Sequence, residues 1–287
     1  MKILITGASG KVGESVANYL LEKNLYCYLN SRKKLNYKKF KNYKVIKCDI
    51  LSENFYIPLD CDALIHTATV LKKNYNSQLL RKDLKINKKI SNLIRKHKNL
   101  KKIIFLSTAE VYNKNLTKIV SEKSNNFNKH LYAKIKLKTE KLLSSINSKY
   151  IYNVRLPAII GTLNANNFLT KLANNFNKSK KIKLYNANRL FNNILDIDTL
   201  NKFIYSLLRN NFKSGLILLG TKNPTKLFKI VMIFKKFFKY KHNILWSKNE
   251  NGFYLNINNS IKNYNFKPLN TITVLNNYLK TDFKKYN

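Results

Sequence analysis

The stretch Lys2-Ile3-Leu4-Ile5-Thr6-Gly7-Ala8-Ser9-Gly10-Lys11-Val12-Gly13 decides how this chain of 287 residues is read. A short apolar run predicts a strand, glycines follow at once, and Val12, Val16 and Leu20 then mark one face of a helix expected over Lys11–Lys23. Glycine permits a tight strand-to-helix turn and lets a phosphate approach the backbone closely. The helix N-terminus adds free N–H groups and the positive end of its dipole. The spacing is Gly7-x-x-Gly10-x-x-Gly13 rather than the G-x-G-x-x-G of many dehydrogenases. The chain has only seven glycines, and three fall here. A dinucleotide pyrophosphate is the expected ligand, cradled by Gly7, Ser9, Gly10, Lys11, Val12 and Gly13.

Working outward, strand and helix alternate with short connections, the pattern of a parallel sheet covered on both faces. Strands are expected at Leu25–Leu29, Lys44–Lys47, Ala63–His66, Lys102–Leu106 and Tyr150–Arg155. Helices are expected at Leu79–His97, with Leu80, Leu84, Asn87 and Leu93 on one face, and at Tyr132–Ser145. Beyond Pro157 the pattern loosens into helices near Asn167–Asn177 and Thr199–Leu208 and apolar runs at Ile182–Tyr185 and Leu216–Leu219. Asn223–Lys239 reads as an amphipathic helix; its basic, aromatic face would suit a membrane surface, but packing on the rest of the protein is the better reading. The fold class is therefore α/β, with a doubly wound parallel sheet over residues 1–160, a segment returning to it near 190–210, and a smaller α/β lobe over 161–287.

Composition narrows the function. A formal charge of +41 invites a nucleic-acid reading. Yet only six of the 55 basic residues are Arg, and Lys is spread along the whole chain with Asn, Ile, Tyr and Phe. That joint bias follows AT-rich codons, so a solvated lysine surface is expected and no nucleic-acid partner. No apolar run is long enough to span a bilayer, and the N-terminus lacks the apolar core of a signal peptide; a cytoplasmic protein is expected. Cys27, Cys48 and Cys61 have no metal-ligand spacing and are odd in number, so neither a metal nor a disulfide is expected. Cys27 and Cys48 lie in strand-like runs and read as small buried hydrophobes.

Cofactor choice turns on the end of the second strand. An acid about 20 residues past the loop bonds the ribose hydroxyls of NAD. Here the segment is Asn30-Ser31-Arg32-Lys33-Lys34, and no acid occurs between Glu22 and Asp49. Ser31 and Arg32 suit a 2′-phosphate, which favours NADP over NAD.

Tyr132 and Lys136 stand at i and i+4 on one helix face. A tyrosine hydroxyl is a poor base at neutral pH. A nearby ammonium, with the positive charge of an oxidised nicotinamide, favours the phenolate, and Tyr132 would then exchange a proton with a substrate alcohol. With 18 Tyr in so lysine-rich a chain the pair needs context. It comes from Ile103-Ile104-Phe105-Leu106-Ser107-Thr108, a buried strand ending in hydroxyls where an open α/β sheet places its ligands; Thr108 would bond the substrate oxygen.

Together these motifs resemble the extended short-chain dehydrogenase/reductase family, the NAD-dependent epimerase/dehydratase group that acts mostly on nucleotide sugars. The matches run in order: residues 6–13, Cys48-Asp49-Ile50, His66-Thr67-Ala68-Thr69, Asn87, Ser107-Thr108-Ala109-Glu110-Val111-Tyr112, Tyr132-Ala133-Lys134-Ile135-Lys136, and Arg155-Leu156-Pro157 with Gly161. Asn193 to Asp198 is similar to the family's returning strand and Asn265-Phe266-Lys267-Pro268 to its C-terminal signature. The resemblance implies a Rossmann-type fold, a mainly substrate-binding second lobe, and catalysis by Thr108, Tyr132 and Lys136. It implies cofactor contacts from Asp49, Ile50, Thr67, Ala68, Thr69, Asn87 and Pro157 and from the catalytic pair, with Lys136 on the nicotinamide ribose. The expected partner is a nucleotide sugar, and a homodimer is the assembly to test for. The family's dehydratases carry Asp-Glu where this chain has Ala109-Glu110, which counts against 4,6-dehydration and leaves epimerisation or ketone reduction; Arg32 leans toward an NADPH-dependent reductase. Asn113 replaces a usual glycine, and the proline usual before the catalytic Tyr is absent, so a divergent substrate cleft is expected. The rival reading is a redox-sensing or regulatory NAD(P)-binding protein, since relatives exist that keep the loop and lose the pair.

Overall fold

The computed structural model describes residues 1–35, 37, 39–69, 77–113, 118–125, 127–147, 149–161, 167–248 and 252–283. Along the chain come β1 (Lys2–Thr6), α1 (Lys11–Glu22), β2 (Tyr26–Ser31), β3 (Tyr43–Lys47), β4 (Ala63–His66), α2 (Ser77–Lys96) and β5 (Lys102–Thr108). A 3₁₀ turn at Ala109–Val111 leads to β6 (Ile119–Val120), α3 (Leu131–Ser144), β7 (Tyr150–Leu156) and β8 (Ala158–Ile160). Then follow α4 (Phe168–Asn177), β9 (Ile182–Tyr185), β10 (Leu190–Phe191), β11 (Ile194–Asp196), α5 (Ile197–Arg209) and β12 (Gly215–Leu218). The remainder is β13 (Thr225–Lys226), α6 (Leu227–Phe237), β14 (Ile244–Ser247), β15 (Tyr254–Leu255), α7 (Asn258–Tyr264) and α8 (Thr271–Asp282).

The chain divides into two compact units. The first comprises residues 1–111, 127–155 and 201–217; the second comprises 112–126, 156–200 and 218–287. The central sheet has the order β12-β7-β5-β4-β1-β2-β3, and its pairs from β3 through β5 are parallel. This is the doubly wound architecture expected from the sequence. Its strands are apolar throughout because both faces are covered: β1, β4 and β5 are almost wholly buried. One face packs Leu4, Leu64, Ile103 and Phe105 against Ile86, Ile90 and Ile94 of α2. The order reverses at β1, whose neighbours β2 and β4 lead away in opposite directions, so a crevice opens at the carboxyl ends of β1 and β4.

Two inward polar devices fix this unit. Arg155 of β7 meets Glu140 of α3 in a fork, with Nε to Oε1 at 3.0 Å and Nη2 to Oε2 at 2.6 Å, while Ser107 of β5 donates to the same carboxylate. Lys102 buries its ammonium against the carbonyls of Leu207, Leu208 and Asn210, the C-terminal end of α5, where a helix carries negative partial charge. The thiols of Cys27 and Cys61 are buried and pushed up to about 12, first by desolvation. Cys48 is only half-buried, just past β3, so of the two cysteines read as buried hydrophobes only Cys27 is one.

The second unit is built on short strand pairs, β8 with β11, β9 with β14, β10 with β13 and β6 with β15. Its core joins Leu172 and Phe176 of α4, Ile230, Val231 and Phe234 of α6, and Val274, Leu275 and Tyr278 of α8. Asn192 staples it, donating to the Thr221 and Leu255 carbonyls and accepting from the Leu255 amide.

Several sequence expectations shift. The helix read over Asn223–Lys239 starts only at Leu227, because Asn223 is left-handed (φ 56°) and Thr225–Lys226 pairs antiparallel with β10. On α2 the buried face is Asp83, Ile86, Asn87, Ile90 and Ile94, whereas Leu80, Leu84 and Leu93 are half-buried. Helices α7 and α8 went unread, although Asn270 caps α8 by accepting from the Ile272 amide.

The Glu140–Arg155 pair gives the first prediction. Removing one charge of a buried pair leaves the other uncompensated, at a cost of about 3–5 kcal/mol. Glu140→Gln should therefore lower unfolding stability by that amount in urea titrations, and Glu140→Gln with Arg155→Met should recover much of it. An unchanged midpoint in the single variant would show that the pair does not tie β5, α3 and β7 together.

Candidate active site

The glycine loop follows β1, and its three glycines do different work. Gly7 turns the chain with φ 73°, and a Cβ there would sit 2.8 Å from the Ala68 amide nitrogen and from Thr67 Oγ1. Gly13 lies inside α1, where a Cβ would collide with the Gly7 carbonyl oxygen. Both are demanded by packing. Gly10 differs: its φ of −81° is ordinary, and a Cβ would meet only the Gly7 oxygen, at 3.2 Å. Gly10 is the N-cap of α1 and brings no capping side chain, so the first-turn amides of the helix, from Lys11 through Gly13, face outward at its positive end. Ser9, Gly10 and Lys11 are exposed. A helix N-terminus that carries no capping side chain is the kind of site where anions bind.

Thr67 locks the loop to the end of β4, its Oγ1 donating to the Thr6 carbonyl at 2.7 Å. The Ala8 amide donates to the Asn30 carbonyl, which ties the loop to β2 as well. At the end of β2 the Asn30 amide group donates to the Ile46 and Cys48 carbonyls. Ser31 is buried, its Oγ accepting from the Lys33 amide, and Arg32 is exposed. Asp49 accepts from the Leu51 amide at 2.9 Å and from Lys82 Nζ at 3.4 Å. That backbone bond first, and Lys82 and Arg32 by charge, hold its carboxyl below the usual range against the effect of burial. Ile50 is buried in the core beside it.

Behind the loop runs a buried chain of polar groups. His66 takes a hydrogen bond between Nδ1 and Thr6 Oγ1 (2.7 Å) and one between Nε2 and Asn87 Oδ1 (2.8 Å). The Asn87 Nδ2 donates to the Asp83 carbonyl, which leaves Oδ1 for His66 and makes Nε2 the protonated nitrogen. Thr69 Oγ1 then donates to Asp83 Oδ2 at 3.1 Å. Asn87, read as a cofactor contact, spends its Oδ1 on His66 and one N–H on the Asp83 carbonyl.

The catalytic candidates stand on α3 and β5, which pack together. His130 caps α3, its Nδ1 accepting from the Ala133 amide, and its ring stacks on Tyr132 at 6.4 Å. Tyr132 is half-buried; Lys136 is 4% exposed. The Lys136 ammonium bonds the Leu106 carbonyl at 3.0 Å, lies 4.7 Å from the Phe105 ring centre and 5.8 Å from that of Tyr132. Burial pushes Lys136 down to about 8, opposed by Asp83 and Glu140. The Tyr132 phenol is shifted upward, first by desolvation, then by Glu110 and Asp83. The expected lowering of the phenol by Lys136 is therefore not met by the protein alone: burial outweighs one ammonium. Thr108 ends β5 with its Oγ1 accepting from the Glu110 amide, which leaves its proton to donate.

The first unit thus gathers the glycine loop, Thr67 to Thr69, Thr108, Tyr132 and Lys136, while Pro157 falls in the second. His66, Asp83 and His130 were not singled out from sequence. A lone Asp in a basic helix, on the face of Ile86 and Ile90, was the available signal for Asp83. In the second unit the Arg189 guanidinium lies 5.9 Å from the Phe191 ring centre, beside Gly252, where any Cβ would collide with it. Among the described residues no cluster of His, Cys, Asp and Glu could hold a metal, and no helix is long and apolar enough to cross a membrane.

The His66 chain predicts an acid sensitivity. Burial pushes this imidazole down to about 4, against an Asn87 bond that raises it. Both folded and unfolded His are neutral above pH 6.5; below it the unfolded chain gains a proton that the folded one refuses. Stability should fall by roughly 3 kcal/mol between pH 6.5 and 4 on this account. His66→Gln should lack that component, so the stability difference between the two proteins should change by this amount across the window; a constant difference would sink the assignment.

A sequence model of the NAD dependent epimerase/dehydratase family matches residues 3–214. Among solved structures, UDP-glucuronic acid 4-epimerase from Bacillus cereus, in complex with NAD, is 18% identical, with TM-score 0.79 over 99% of this chain and 100% of that one. UDP-glucose 4-epimerase from Thermotoga maritima, with UDP-glucose, is 13% identical, with TM-score 0.80 and 100% of each chain covered. ADP-L-glycero-D-manno-heptose-6-epimerase from Helicobacter pylori is 21% identical, with TM-score 0.78 over 97% of this chain and 94% of that one. No curated protein sequence matches. At such identities the likeness establishes the fold, and the family match spans the loop, the Thr108 strand end and the Tyr132–Lys136 helix: the chain belongs to the NAD dependent epimerase/dehydratase family.

Proposed function

We propose that the protein is an NAD(P)-dependent enzyme that epimerises, or reduces a keto group of, a nucleotide-activated sugar. The observation that carries this reading is the buried Lys136 ammonium beside Tyr132. Placing an ammonium in so dry a position is costly, and its place beside the Tyr132 phenol serves proton transfer in a way that dinucleotide binding alone does not require. The regulatory alternative is the weaker for that reason. The solved relatives include structures with NAD and with UDP-glucose, which supports a nicotinamide dinucleotide and a nucleotide sugar as the two ligands.

In this reading the open cradle at Gly10 and the first turn of α1 hold the pyrophosphate, and Asp49 and Ile50 flank the adenine. Thr67 to Thr69 line the cofactor from the end of β4. Lys136 has three donors and spends one on Leu106; the others bond the nicotinamide ribose. When bound, the nicotinamide takes hydride from a carbinol carbon or returns it to a ketone. Thr108 donates to the substrate oxygen, and Tyr132 gives or accepts that oxygen's proton. The phenol rests protonated, so its ionisation waits for positive charge brought by ligands. The second unit is the candidate sugar-binding lobe. With no acid at the end of β2 and an exposed Arg32, NADP is favoured over NAD; a homodimer is the assembly to test.

Tyr132→Phe should leave folding and dinucleotide affinity nearly intact and lower turnover by about 10²–10⁴-fold, once a thermal-shift screen of nucleotide sugars with NAD and NADP has found a substrate. Full turnover by that variant would remove the proton-transfer role. Gly10→Asp, once circular dichroism has shown it folded, should lose dinucleotide affinity to its added bulk and charge; calorimetry that finds affinity unchanged in the folded variant would exclude the cradle. Arg32→Ala should weaken NADP binding far more than NAD binding at one salt concentration, and equal losses would show only general surface charge.

A further inference from the structure

Helix α3 opens on a histidine, where Ser, Thr, Asp or Asn is the usual cap. His130 has an extended backbone (φ −70°, ψ 155°), and its Nδ1 accepts from the Ala133 amide at 3.1 Å. Its carbonyl accepts from the Lys134 amide at 3.2 Å. The first turn of α3 carries no acid to supplement that cap. The cap stands among the candidate catalytic residues. Its ring stacks on that of Tyr132, with 6.4 Å between centres and 25° between planes. Upstream, the His130 amide donates to Asn128 Oδ1 at 3.3 Å, and the Asn128 amide donates to the Val111 carbonyl at 2.6 Å. Val111 belongs to the 3₁₀ turn that follows Thr108. His130 is exposed, so protons reach it freely.

We propose that His130 is a positioning residue for Tyr132: its neutral imidazole holds the helical turn that carries the phenol, and a proton on the imidazole releases that turn. The inference rests on the enzymatic reading above only for its effect on turnover. A ring nitrogen accepts a hydrogen bond only while it carries no proton. With Nδ1 accepting from Ala133, the neutral ring keeps its proton on Nε2. A second proton must go to Nδ1, and it ends the bond. The imidazolium then stands against the positive end of α3, which adds repulsion. A hydroxyl or amide cap has no such dependence, whereas histidine titrates near neutral pH. The cap is therefore present above that titration and lost as pH falls through it. The elements packed on α3 bring Glu110 on the 3₁₀ turn and Asp83 on α2, both of which act on the phenol. Arg81, Lys82 and Lys85 flank Asp83 in sequence, and β5 ends in the hydroxyls of Ser107 and Thr108, with Lys102 at its far end. Along the chain from His130 stand Lys129, Lys134 and Lys136. These charges set where the transition lies, while the cap bond sets its direction.

Amide exchange in ¹⁵N-labelled protein reads the cap without cofactor or substrate. From about pH 8 to about pH 5, across the histidine range, protection of the Ala133 amide should fall roughly fivefold or more, the worth of an ordinary N-cap. The reference is the Leu142 amide, at the far end of α3. His130→Ser supplies a cap that does not titrate and should hold Ala133 protection level over this range. His130→Ala should lack that protection at every pH. His66 remains in all three proteins, so its own acid sensitivity cancels in the comparison. In turnover, the wild type should lose kcat, with little change in KM, over the pH range where the cap is lost; His130→Ser should move that acid limb to lower pH. Wild-type protection that does not change with pH, or that falls equally in His130→Ser, overturns the proposal. So does a kcat indifferent to the loss of the cap. A pH-dependent cap in a protein that turns over no nucleotide sugar would uphold the cap and overturn the enzymatic reading instead.

Discussion

The approach of α1 to the end of β1 is the constraint on which the site depends. With no side chain at Gly13, the helix comes down onto the Gly7 carbonyl, while Gly7 in turn lies against Thr67 and Ala68 at the end of β4. Strand, loop and helix are thereby fixed to the two strands where the sheet order reverses. The N-terminus of α1 is thereby held at that crevice, with its positive dipole end toward it. A single methyl group at Gly13 would lift the helix and misdirect the dipole, whereas Gly10 leaves the space itself.

A chain so rich in lysine keeps most of its charge in water, which makes the exceptions informative. Among the described residues only Lys102 and Lys136 are buried lysines. Lys102 is satisfied by three carbonyls at a helix end, a structural use. Lys136 has one carbonyl and an aromatic ring, an incomplete set of partners of the kind that suits a ligand. Arg155, buried as well, is closed off by its fork with Glu140. Desolvation thus separates Lys102 and Arg155, whose partners lie within the fold, from Lys136, whose set of partners is incomplete.

Much of this was legible in the sequence, and the misreadings have identifiable causes. The buried strands and the glycine loop carry local signals, so they were placed within a residue or two. On α2 the inward face was read from Leu80, Leu84, Asn87 and Leu93; of these only Asn87 is buried, and the face is set by Ile86, Ile90 and Ile94 and includes Asp83. Polar residues on an inward face defeat a hydrophobic count, since only their partners in β4 explain them. The start of α6 was misread because the left-handed Asn223 and the pairing of Thr225–Lys226 with β10 depend on a distant strand. The C-terminal helix α8 could have been found from its Asn270 cap and the run of Val274, Leu275, Tyr278 and Leu279.

The sequence by itself determined the α/β class, the family, the cradle and the Tyr132–Lys136 spacing, because each is written in residues near one another along the chain. Only the tertiary structure decided what those groups are worth. Whether Lys136 is an ordinary surface lysine or an ammonium pushed down to about 8 depends on its burial against Phe105 and Leu106, which reach it from β5. Whether Asn87 touches a ligand or braces His66 depends on β4. Desolvation and charge act through space over a few ångströms, and only folding brings those distant parts of the chain that close.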